Sequence, residues 1–102
     1  MTKDSLKGIM KILTWNCNGA FRRKFQLLGE FSADILVIQE CENPETSKDL
    51  AYKKWATNFI WAGDNQSRGL GIFAVEKVRL SKYDWVSDGC KYFASCRVND
   101  TF

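Results

Sequence analysis

The sequence contains no histidine. Its four cysteines, at positions 17, 41, 90 and 96, form no Cys-x-x-Cys pair. Together these absences exclude the usual zinc patterns. No stretch approaches the ~18 consecutive apolar residues of a helical membrane span. Residues Met1 to Gly8 are polar and no apolar core follows them, so the start does not resemble a secretory signal. Proline occurs once, at Pro44, and no repeat, low-complexity tract or linker is present. Charge imbalance is small as well, at +3, and lysine and arginine are dispersed except at Arg22-Arg23-Lys24. Attraction to anionic partners is correspondingly weak. These features together describe a cytoplasmic chain with reduced, buried thiols and no membrane association.

What is present is the material of a core. A length of 102 residues fits one domain spanning 1–102. Hydrophobic residues make up 45% and aromatics 14%, including four tryptophans and seven phenylalanines. That composition belongs to a folded chain rather than a disordered one.

Two apolar, β-branched runs end abruptly on polar groups. Ile9 to Trp15 reads as a strand apolar enough to be buried on both faces, followed by a turn at Asn16-Cys17-Asn18-Gly19. Ile35 to Gln39 reads as a second buried strand, stopping at Glu40. Between them Phe21, Phe25, Leu28 and Phe31 follow a helical stripe, with Arg22, Arg23 and Gln26 facing away. Strand, helix, strand within about thirty residues predicts a parallel β-α-β unit. Further on, Ser47 is placed to cap a helix to about Thr57, with Asp49 in its first turn. Phe59 to Ala62 reads as a short strand and Gly63 to Ser67 as a turn. Gly69–Val75, Val78–Val86 and Cys90–Val98 read as an antiparallel meander, with a turn at Asn99-Asp100 and one more strand opening at Thr101-Phe102. The fold class is therefore α/β (α+β), with one mixed sheet and two helices.

Ligand groups collect beyond the carboxyl ends of strands in such units. Asn16 and Glu40 would share that edge if the two strands lie side by side. A carboxylate there is costly to dehydrate unless a cation or donor balances it. Magnesium takes oxygen ligands, often one or two carboxylates with water and substrate phosphate. The plainer alternative is that Glu40 opens an exposed loop and the asparagines serve turn chemistry. Arg22-Arg23-Lys24 either touches phosphates or forms a solvated face. Gln39 reads as a satisfied buried amide, Trp15 as core, and Arg68 and Asn65 as turn residues within reach of a substrate.

Ile12-Leu-Thr-Trp15-Asn16-Cys-Asn18-Gly19, then Asp34-Ile-Leu-Val-Ile-Gln39-Glu40, then Gly69-Leu-Gly71-Ile-Phe73-Ala74 resemble, in order, the opening signatures of the endonuclease/exonuclease/phosphatase superfamily. That family includes apurinic/apyrimidinic endonucleases, pancreatic deoxyribonuclease and several phosphoesterases. The resemblance implies that Glu40 binds a metal, Mg2+ or Mn2+, and that Asn16 helps hold metal or phosphate, both as catalytic-site residues. Asn18 stands where some members have aspartate; it and Arg22, the latter from its place in the basic run near the helix start, are the expected substrate contacts. The resemblance also implies hydrolysis of a phosphodiester in nucleic acid, with the metal stabilising charge on phosphorus and the leaving oxygen.

The family's later Asp-x-Asn and Asp-His signatures are not in these residues. Gly63-Asp64-Asn65 differs from the first in order and spacing, and no histidine is available for the second. The resemblance thus covers the N-terminal half of a four-layer α-β-β-α sandwich, inactive as this chain alone. Two alternatives stand beside it: a module that binds nucleic acid or metal without cutting, and one subunit of a split phosphoesterase. Half a sandwich leaves one sheet face uncovered, which predicts self-association or a complementing chain.

Overall fold

β-branched and aromatic side chains fill the strands of one mixed four-stranded sheet. Strands β1 (Ile12–Asn16) and β2 (Ile35–Cys41) are parallel neighbours, with Ile12 opposite Ile35 and Asn16 opposite Gln39. β3 (Phe59–Asn65) and β4 (Arg68–Ala74) form a hairpin, and β4 pairs antiparallel with β2. The sheet order is β1-β2-β4-β3. A computed structural model describes residues 10–82 and 96–98 of the chain. Sequence readings at 1–9, 83–95 and 99–102 lie outside the described residues. Among those described, no helix is long and apolar enough to cross a membrane.

One face of the sheet carries the main core. Leu13, Trp15, Leu36, Ile38, Phe59, Trp61 and Phe73 alternate onto it and meet Phe21, Phe25, Leu28 and Tyr52. The centre is aromatic: Phe21 makes edge-on or tilted contacts with Trp15, Phe25, Tyr52, Trp55 and Phe73. Such geometry suits the ring quadrupole. Trp61 lies over Gly69, where an added Cβ would stand 2.3 Å from the indole, so only glycine admits the ring. The opposite face holds a smaller cluster of Ile35, Ile72 and Val78, with Met10, Val37, Ala74 and Leu80 packed against it.

Several local expectations are revised. β1 is not buried on both faces: it is an outer strand, and Ile12 remains 56% exposed. The helical stripe does bury Phe21, Phe25 and Leu28, but as two 3₁₀ segments, Phe21–Arg23 and Phe25–Phe31, broken at Lys24. No side chain caps either segment and Gly29 sits inside the second, so nothing favours a longer α-helix. Phe31, expected on the stripe, is exposed, and Arg22, expected to face away, is half-buried.

Among the described residues the one α-helix, α1 (Leu50–Trp55), is capped by Asp49 rather than Ser47: the Asp49 carboxylate accepts from the Tyr52 N–H at 3.0 Å. Ser47 Oγ instead accepts from the Asp49 N–H. β3 runs three residues further than expected, leaving Gln66-Ser67 as the two-residue hairpin turn. Of the expected meander, the antiparallel pairing of its second and third strands holds, whereas among the described residues the first, β4, does not pair with the second. β5 (Leu80–Lys82) leaves the main sheet and pairs with β6 (Cys96–Val98) in a separate two-stranded sheet.

Cys17 and Cys41 are free and buried, as their apolar surroundings required. Burial raises the Cys17 pKa and pushes that of Cys41 up to about 12 from an ordinary value of 9.0; the neighbouring Cys17 adds to the Cys41 shift. Burial raises Tyr52 as well. A raised folded-state pKa means that the unfolded chain releases the proton first. The stabilising contribution is complete below pH 9.0 and is lost as pH climbs toward 12. Within that window Cys41 alone should cost ~1.4 kcal/mol of stability per pH unit. Urea midpoints between pH 8 and pH 11 should fall accordingly, and Cys41→Ala should flatten the slope while lowering stability below pH 9, so that the difference from the parent narrows as pH rises. An unchanged slope in that variant would contradict this account.

Candidate functional site

The parallel pairing of β1 with β2 brings Asn16 and Glu40 to one edge, although 24 residues separate them. Alternation alone would turn Glu40 onto the helix side, two positions after Ile38. A bulge prevents this. The register skips between Gln39, opposite Leu70, and Cys41, opposite Gly69, and Glu40 takes a left-handed φ of 61°. The extra residue lets Cys41 drop into the core and turns Glu40 out toward Asn16. Positive φ at a non-glycine residue costs about 1–3 kcal/mol and gathers at functional sites.

Neighbouring groups hold the bulge in place. The Cys17 N–H donates to the Gln39 carbonyl at 3.2 Å, the Cys17 thiol lies 3.2 Å from the Glu40 carbonyl, and the Trp61 indole N–H donates to the Cys41 carbonyl at 3.0 Å.

Both carboxylate oxygens of Glu40 are engaged. Arg68 Nη1 donates to Oε1 at 2.7 Å, and Asn16 Nδ2 donates to Oε2 at 3.3 Å. The Asn18 N–H fixes the other end of the Asn16 amide, donating to Oδ1 at 3.0 Å. Arg68 arrives because β4 runs antiparallel to β2, so the first residue of β4 lies at the carboxyl end of β2. Asn16, Gln39, Glu40, Arg68, Gly69 and Leu70 line a cleft of about 540 Å³. The ion pair is half in solvent, with 56% of the Arg68 side chain exposed and 36% of that of Glu40. A pair so exposed contributes only about 0–1 kcal/mol.

A divalent ion at Glu40 would have to displace Arg68. The cleft offers one carboxylate, its charge is already balanced by a guanidinium, and the Asn16 oxygen faces a backbone N–H. Among the described residues no group of three or more Asp, Glu, Cys or His side chains is placed to hold a metal.

Two other residues carried forward from the sequence stay out of the cleft. Asn18 contributes its backbone N–H to Asn16, its φ of 62° marking the start of a left-handed run through Gly19 and Ala20. Arg22 is bound to Glu42, with Nη1 to Oε2 at 2.6 Å and its own N–H to Oε1 at 3.2 Å. Lys24 Nζ donates to the Cys17 carbonyl at 2.6 Å and steadies the loop after β1. Gln39 is half-buried at the lip of the cleft.

Sequence reasoning left Arg68 without a defined role and gave Glu42 none. Arg68 was findable only through the β2–β4 pairing. Glu42, in a stretch that reads as loop, carries no local signal of burial.

What the fold and site define is a class: a mixed α+β chain with a polar cleft at the carboxyl ends of two parallel strands. Comparison with protein-family models, with curated proteins and with solved structures finds no match to it.

Proposed function

We propose that the chain supplies the Asn16–Glu40 part of a phosphodiesterase-type site for nucleic acid, and that these residues alone do not hydrolyse the bond. The observation that carries this reading is the convergence of Asn16, Glu40 and Arg68 at one sheet edge, built by a strained bulge. An amide, a carboxylate and a guanidinium together can orient a phosphodiester and a water beside it.

Hydrolysis also requires a group to take or give a proton, and a second centre of charge at phosphorus. No histidine is available, and Glu40 is occupied by Arg68. Those functions fall to a complementing chain or to further sequence. The outer edge of β1 and the exposed Ile12 beside it are where such a partner, or a second copy, would add to the sheet.

The second reading, a module that binds nucleic acid without cutting, is favoured by the Arg68–Glu40 pair itself, which neutralises the carboxylate a hydrolase would use.

The test is incubation of the purified chain with end-labelled DNA and RNA oligonucleotides, with Mg2+ or Mn2+. The expected result is salt-sensitive binding with no cleavage. Metal-dependent cleavage abolished by Glu40→Ala would show that these residues suffice and would overturn the claim of inactivity. Binding indifferent to salt would count against a phosphodiester ligand.

A further inference from the structure

We propose that Arg68 is the built-in cation of this cleft, and that the cleft takes a phosphodiester through the Arg68 guanidinium without a divalent ion. This rests on the phosphodiester reading above and names how the ligand is held. Arg68 gives Glu40 one nitrogen, Nη1, and the guanidinium has a second edge. The rest of it stands over Gly19, where a Cβ would lie 3.2 Å from Nη2, 3.5 Å from Cζ and 4.0 Å from Nε. Gly19 has a φ of 85°, so a side chain is opposed there by both backbone conformation and space. The loop after β1 is thus shaped to admit the guanidinium.

Arginine presents its donors as a planar fork that matches two phosphate oxygens. Its exposed bond to Glu40 is weak enough to rearrange when an anion arrives. Glu40 then acts as a selector. A phosphodiester carries one negative charge and a terminal phosphate close to two, so the adjacent carboxylate disfavours the terminal phosphate more strongly. The Asn16 amide, fixed by the Asn18 N–H and by Glu40, remains at the same lip to donate to a phosphate oxygen.

The experiment is calorimetric titration of the full chain with dithymidine monophosphate, a diester, and with inorganic phosphate, each in EDTA and again in Mg2+. The expected result is diester binding in EDTA, unchanged by Mg2+ and stronger than that of inorganic phosphate. Arg68→Gln should weaken it at least tenfold. Glu40→Gln should strengthen it several-fold and narrow the preference over inorganic phosphate, because the competing carboxylate is gone. That gain of affinity cannot come from misfolding, and a circular-dichroism melt of each variant accompanies it. Binding that appears only with Mg2+ and vanishes in Glu40→Gln would overturn the inference while sparing the phosphodiester reading. Binding of inorganic phosphate in preference to the diester would overturn both.

Discussion

Phe21→Ala is expected to lower the melting temperature by roughly 15–30 °C, the largest effect of any single truncation considered. The ring is fully buried and touches Trp15, Phe25, Tyr52, Trp55 and Phe73, joining the first 3₁₀ segment to α1 and the sheet at one point. Removing a buried phenylalanine costs about 3–5 kcal/mol, part transfer free energy and part cavity. Small chains have only about 5–15 kcal/mol in total, so a large share of the stability goes with this one side chain. The rings around it are themselves rigid and cannot collapse into the gap. Phe21→Leu, which keeps most of the volume, should cost ~1.5 kcal/mol or less. Thermal melts by circular dichroism decide the matter, and a Phe21→Ala melt within a few degrees of the parent would show that the cluster is not the centre of stability.

The second large effect concerns Arg22, and here two roles make opposite demands. If Arg22 contacts phosphate, its loss should weaken nucleic-acid binding and leave stability unchanged. In the structure it neutralises Glu42, a carboxylate only 8% exposed. Arg22→Ala leaves that carboxylate buried with backbone N–H donation alone, a loss of about 2–3 kcal/mol. Glu42→Gln should cost less, about 1 kcal/mol, because the freed guanidinium is half in solvent while the amide still accepts the Arg22 N–H. The order of the two urea midpoints, with Arg22→Ala below Glu42→Gln, is the discriminating result. Arg23, exposed and with no bonded partner among the described residues, is the better candidate in that basic run for any contact with phosphates.

Such reversals have a common source. Arg22-Arg23-Lys24 looks uniform in sequence, yet the structure gives one residue to Glu42, one to the Cys17 carbonyl and one to solvent. Pairing across 20 residues cannot be read from local pattern. The same holds for the helical stripe. Its apolar positions correctly marked Phe21, Phe25 and Leu28 as core, because burial depends on which residues are apolar. Whether the backbone between them is α or 3₁₀ depends on caps and on Gly29, and this the spacing did not decide.

The strands β1 and β2, their parallel relation and the placing of Asn16 and Glu40 at one sheet edge were determined by the sequence itself. β-branched runs ending on polar groups, joined by a connection of that length, have few ways to pack. Tertiary structure alone decided the rest of the cleft. The bulge at Glu40 exists because Cys41 must enter the core beside Trp61 and Gly71, which displaces one residue of β2 outward. Arg68 meets Glu40 because β4 runs antiparallel to β2, a pairing set by how the two cores close over the sheet. Local residues chose the strand ends, and long-range packing chose what faces them.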